Sequence, residues 1–177
     1  RQLNAAKDAF VGKYTGQGGK FSIDVTREGA DVLVKVTGAS AHGSRPEEGV
    51  NPLPRLALFL QQSGVTVAAN GYAQAVRYIA DLYGVDYLGR TLGLAYSDDF
   101  MGPLTMSPNL IREKDGKVDV LVNVRMPRGN TPEALSQATT ERIKAWGVQA
   151  GVAVEVEHKQ GNWMARDPKG AWLATLL

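Results

Sequence analysis

From Phe21 the chain alternates, with Phe21, Ile23 and Val25 on one face, a Glu28-Gly29-Ala30 turn, and then Val32, Val34 and Val36. Period-two alternation on both sides of a glycine turn predicts a β-hairpin. Over Asn51 to Gly64 the apolar residues Leu53, Leu56, Phe59 and Leu60 fall at helical spacing, and Pro52 fits a first turn. A second apolar helix is predicted over Tyr72 to Tyr83, stopped by Gly84. Leu88 to Pro108, with its glycines, its Ser97-Asp98-Asp99-Phe100 run and two prolines, reads as irregular or edge strand.

The clearest unit is Asn109 to Pro127, a hairpin around Asp115-Gly116 with Val118, Val120, Val122 and Val124 on one face. A helix follows with Thr131 as N-cap, Pro132 in its first position and Glu133 in its positive first turn. Ala134, Leu135, Ala138, Ile143 and Trp146 form its apolar side, and Val152, Val154 and Val156 alternate as a last strand. Strand pairs interleaved with helices predict an α+β two-layer sandwich, a mainly antiparallel sheet with helices on one face, ferredoxin-like, with room for a second small lobe.

Composition narrows the function classes. The chain has 177 residues, 44% hydrophobic, enough for one domain with a real core or two small lobes. Twenty Lys and Arg against eighteen Asp and Glu leave a net charge of +2, with the basic residues scattered, so nucleic acid is not an implied partner. No apolar run approaches the roughly 18 to 20 residues that span a bilayer, so no membrane partner is implied either. The pattern reads as a soluble chain of open compartment, cytoplasmic or periplasmic. Absence of cysteine removes thiol catalysis and cysteine-ligated zinc. The start at Arg1 and the apolar ending Ala171 to Leu177 suggest an excised fragment.

Metal hydrolysis needs three or four ligands, usually with a short-spaced pair. His42 and His158 are far apart and no such pair exists, so no metal site is expected within the chain. G-x-S-x-G and the glycine-rich phosphate loops are absent too, so serine hydrolase, kinase and dehydrogenase readings fall away. One stretch gathers chemistry: GASAHGSRPEEGVNP, Gly38 to Pro52. Adjacent Glu47 and Glu48 suit a charged first turn better than a carboxylate dyad. On these residues alone, His42 is open between a solvated turn and a functional group.

The same stretch, read as VTGASAHGSRPEEGVNP, resembles the lid-domain signature of the two-zinc aminoacylases, dipeptidases and glutamate carboxypeptidases, peptidase family M twenty. Ser40, Ala41, His42, Gly43, Pro46, Gly49 and Asn51 stand in the motif positions. VLVNVRMPRGNTPEAL resembles the family's strand ending in arginine and proline, through Arg125, Pro127, Gly129, Thr131 and Glu133. RQLNAAKDAFV resembles the asparagine-containing strand that opens the lid in the dipeptidase branch, and ARDPKGAWLATLL the helix that re-enters the catalytic domain. The resemblance implies a lid domain over residues 1–165 and, over 166–177, the start of that returning helix.

It also implies roles. His42 would be the catalytic oxyanion donor, and Arg125 would hold the substrate's terminal carboxylate, with Asn4 and Asn109 as further substrate contacts. The implied cofactor, two zinc ions, would sit in a catalytic domain absent from this chain, so the chain alone would be inactive. Implied partners are a dipeptide or N-acyl amino acid and the parent's own catalytic domain; a homodimer stays open, while the length of the chain and its Tyr72 to Tyr83 helix favour a monomeric parent, as in the longer lids of the dipeptidase branch. The alternatives are a dimerisation module or a free-standing ligand-binding module of ferredoxin-like fold without catalytic role.

Overall fold

The structure is a computed structural model that describes residues 2–16, 19–42, 45–159 and 161–162. The returning helix expected over 166–177 lies outside the described residues. The chain divides into two compact units: residues 1–95 with 105–125, and residues 96–104 with 126–177.

The first unit opens with helix α1, Gln2–Thr15. This corrects the strand expected there from the resemblance. Leu3, Ala6, Phe10 and Tyr14 recur at three- and four-residue intervals, a helical stripe rather than a strand's alternation, and Phe10 and Tyr14 are buried. The predicted hairpin follows as β1, Ser22–Glu28, and β2, Asp31–Thr37, paired antiparallel from Ser22 with Thr37 to Glu28 with Asp31. Helix α2, Pro52–Gln62, starts where predicted, because the Asn51 side chain accepts the Leu53 N–H at 3.0 Å and Pro52 needs no donor of its own. Helix α3, Gly71–Leu82, has an N-cap that the sequence reading lacked: Asn70 accepts the Ala73 N–H at 2.9 Å. Gly84 ends it with φ +53°, in the left-handed region.

One aromatic cluster joins these elements. The Phe10 ring lies 4.5 Å from Tyr14, 5.4 Å from Phe59 and 6.2 Å from Phe21, the last two edge-on. Such edge contacts add about 0.5–1.5 kcal/mol beyond burial. Phe59 and Ile79 are fully buried in this core, and Val120 and Ile111 pack against it from the second hairpin.

That hairpin, β5 at Thr105–Lys114 and β6 at Lys117–Arg125, turns through Asp115 and Gly116. Both have positive φ, +53° and +74°, as a two-residue turn matched to strand twist requires. A register shift between Pro108 and Leu110 leaves Asn109 at a bulge.

Of the stretch Leu88 to Pro108, the second unit holds the short pair β3, Ser97–Asp98, and β4, Gly102–Pro103, while Thr105 to Pro108 begin β5 in the first. Helix α4, Pro132–Ala150, begins at the predicted Thr131 cap, whose hydroxyl accepts the Ala134 N–H at 3.2 Å, and ends at left-handed Gly151. The strand expected over Val152 to Val156 is corrected. The three valines do alternate half-buried with exposed neighbours, but no described strand pairs with them. They run back against α4 instead, where Gly147 leaves room for Val154. The fold is thus α+β, with antiparallel strands in three two-stranded pairs among the described residues. These pairs do not establish the ferredoxin-like order.

Phe59→Ala should destabilise the protein by about 3–5 kcal/mol, whereas Val148→Ala, at a side chain 85% exposed, should change stability by less than about 0.5 kcal/mol. Urea unfolding followed by circular dichroism measures both.

Candidate functional site

The Gly38 to Pro52 stretch links β2 to α2 as a loop pinched shut at its base. Ala39 and Val50 form an antiparallel bridge, with Val50 N–H donating to Ala39 at 2.8 Å and Ala39 N–H to Val50 at 3.1 Å. The backbones approach so closely that side chains are excluded. A Cβ on Gly38 would collide with the Val50 carbonyl, and one on Gly49 would sit 2.6 Å from the Ala41 Cβ and 2.8 Å from the Ala39 oxygen. Glycine is therefore demanded at both positions by space.

Inside the loop, Arg45 N–H donates to the His42 carbonyl at 2.8 Å, and Pro46–Glu48 form one 3-10 turn. Glu48 pairs with Arg45 at 2.9 Å, both side chains exposed, so the two glutamates form a charged turn and not a dyad. Such an exposed pair contributes little stability. His42 itself is exposed.

Just past the bridge, Asn51 fastens the loop to the second hairpin. Its Nδ2 donates to the Pro108 carbonyl at 2.7 Å and to the Ser107 hydroxyl at 2.9 Å, while its Oδ1 caps α2. The next turn adds Arg55, 5% exposed, whose guanidinium donates to the Asn51 carbonyl at 3.2 Å and lies 5.2 Å over the Phe21 ring. Burial lowers its pKa from the usual arginine value. Arg55, Asn51, Glu47, Asp86, Tyr87 and Ser107 line a cavity of about 60 Å³ beside the loop base.

Arg125 ends β6, paired in register with Thr105, and is exposed with no ion pair among the described residues. Asn51 grips β5 at Ser107 and Pro108, and Thr105, two residues before Ser107 on that strand, is the register partner of Arg125 on β6. Asn109 sits exposed at the bulge, opposite Leu121 and Val122. That is three or four residues short of Arg125, about 10–13 Å along the strand. Asn4 is exposed on α1, three residues into a helix. The structure therefore ties the His42 loop to β5, which pairs with the Arg125 strand and also carries Asn109, while Asn4 stands on α1 with no such bond to them among the described residues.

A second arginine beside the motif, Arg128, has a different fate that sequence reasoning missed. Its Nη2 and Nε donate to the two Asp98 oxygens at 3.0 and 3.2 Å, and its guanidinium lies 5.6 Å from the Phe100 ring centre. Tyr96 donates to the Pro127 carbonyl at 3.1 Å, and Gly129 packs on the Tyr96 ring. Arg128 is committed to internal structure, and Arg125 is not.

No group of three His, Asp or Glu side chains among the described residues could hold a metal. His158 lies 2.8 Å from the Thr140 hydroxyl, exposed on the second unit. The implied zinc pair therefore does not fit these residues.

Residues 26–149 match the family described as Peptidase dimerisation domain. The chain belongs to that family. Among its relatives, the Beta-Ala-Xaa dipeptidase of Lactobacillus delbrueckii subsp. lactis is 32% identical over 69% of this chain and 25% of its own length. YtjP of Bacillus subtilis (strain 168), which also carries the dipeptidase name, is 29% identical over 71% of this chain and 25% of its own. The chain thus spans about a quarter of the length of these relatives, and it stands near the dipeptidase branch. The match covers His42, Asn51, Asn109 and Arg125, whereas Asn4 lies before it.

The Asp98 carboxyl is held below its ordinary value of 3.8, first by the Arg128 hydrogen bond and then by the Met101 N–H. A depressed folded-state value stabilises the fold above pH 3.8, and that contribution disappears as pH falls through the lower folded value. Asp98→Asn should therefore be less stable than wild type at neutral pH, with the gap closing in acid. Thermal melts across pH 2 to 7 would show an unchanging gap if the pair contributes nothing.

Proposed function

We propose that this domain is the lid and substrate-recognition part of a zinc-dependent dipeptidase or related amide-bond hydrolase. The observation that carries the reading is the His42 loop: an exposed imidazole on a loop clamped at its base and fastened to β5, the strand paired with that of Arg125. Membership of the peptidase dimerisation family and the dipeptidase relatives support it.

In this reading the imidazole donates a hydrogen bond to the oxygen that becomes negative as the scissile amide is attacked. Such a donor is worth about 100- to 1000-fold in rate. Arg125 holds the substrate's carboxylate, because its planar fork matches two oxygens and it has no ion partner among the described residues. The general base and the two zinc ions belong to a catalytic domain beyond these residues, so the isolated domain would neither hydrolyse dipeptides nor bind zinc tightly. Asn4 and Asn109 remain secondary substrate contacts in this proposal, Asn109 lying on β5, the strand paired with that of Arg125. The substrate would be a dipeptide or N-acyl amino acid.

A second reading, a homodimer interface, has its own support in the family's description and in exposed apolar side chains on both hairpins: Val32 and Leu33 on β2, Leu110, Leu121 and Val124 on the other. Sedimentation of the parent enzyme with and without Leu33→Asp tests it; a species unchanged by the substitution counts against β2 as the interface.

For the first reading, His42→Ala in the parent should lower kcat about 100- to 1000-fold with KM little changed, while Arg125→Ala should chiefly raise KM. Steady-state kinetics on dipeptides decides; near-normal turnover of His42→Ala would sink the assignment.

A further inference from the structure

We propose that Asn51 is the positioning residue that sets His42 relative to Arg125, an inference that rests on the His42 reading above. Asn51 touches neither substrate nor reacting atoms. It bonds in two directions, with its Oδ1 on the start of α2 and its Nδ2 on β5.

The path it completes is short. The bridge of Ala39 with Val50 closes the loop carrying His42, and Asn51 is the next residue along the chain. Its amide grips Ser107 and Pro108; Ser107 pairs with Asn123, and Thr105, two residues earlier, pairs with Arg125. The grip lies on the side of the Pro108 to Leu110 register shift that carries Arg125, so the bulge does not enter the path. Arg55 braces the same point from below, donating to the Asn51 carbonyl while buried against Phe21. Without the Nδ2 bonds the loop would still be closed and the helix still capped. What it would lose is its fixed distance to the strand of Arg125.

That separation of duties makes the inference testable with variants that keep the cap. Asp and Ser both serve well at a helix N-cap. Asn51→Asp has no N–H to give to the Pro108 carbonyl, and Asn51→Ser has a side chain too short to reach β5. A misplacement of about 1 Å can cost about 100-fold in rate.

In the full-length parent, with an alanyl dipeptide as probe, each variant should reduce kcat about 10- to 100-fold with KM nearly unchanged and a melting temperature close to that of the parent. Because Asn51 acts through His42, neither should reduce the rate further in a His42→Ala background. Hydrogen exchange in the same protein should show the Ala39 and Val50 amides still protected. Full activity in both capped variants, losses that multiply with that of His42→Ala, or collapse of the fold in both would overturn the positioning role. In those cases a strongly impaired His42→Ala enzyme leaves the oxyanion assignment standing. A His42→Ala enzyme with unimpaired turnover would overturn both together.

Discussion

The constraint on which the rest of this domain depends is the backbone closure between Ala39 and Val50. Two chain segments meet there so closely that Gly38 and Gly49 can carry no side chain. A loop of this length and polarity, left unclosed, would hold His42 at the cost of ordering many residues one by one. Closing its base with two backbone hydrogen bonds confines that cost to the few residues between Ala41 and Gly49. The exposed imidazole is thus presented from a fastened frame, and everything proposed for it follows from that frame.

Around the closure, each supporting element solves a separate problem. The aromatic cluster of Phe10, Tyr14, Phe21 and Phe59 gives β1, α1 and α2 a common core. Burying the guanidinium of Arg55 is costly for a charged group, and hydrogen bonding to Asn51 with stacking on Phe21 offsets part of that cost. The strand β5 carries its grip on Asn51 at one end and its bulge at Asn109 farther along. Arg128 and Asp98 form an ion pair within the second unit, which distinguishes Arg128 from Arg125, exposed and without an ion pair among the described residues.

Much of this was legible in local patterns. The Asp115-Gly116 turn, the Thr131 cap and the strand β6 each follow from a few adjacent residues and appear where the pattern puts them, although Val124 at the end of the valine face is exposed. The family motif around His42 was legible too, because its residues are close in sequence. Three things were not. Helix α1 was masked by a resemblance to a strand, although its stripe of Leu3, Ala6, Phe10 and Tyr14 had the helical period. The alternation of Val152, Val154 and Val156 was a true burial pattern without a partner strand, and alternation alone cannot show whether a partner exists. The long-range bonds, Asn51 to Ser107 in the first unit and Arg128 to Asp98 in the second, join residues 56 and 30 positions apart and leave no local periodic trace.

In the proposed function this domain contributes half of an active site, with His42 meeting the developing oxyanion and Arg125 the substrate carboxylate. The most direct measurement is a crystal structure of the full-length parent with a phosphinic dipeptide analogue bound. The account predicts one His42 ring nitrogen about 2.7–3.1 Å from a phosphinate oxygen and the Arg125 guanidinium in two-point contact with the terminal carboxylate. A bound analogue with His42 turned to solvent, and its phosphinate met only by residues outside this domain, would contradict it.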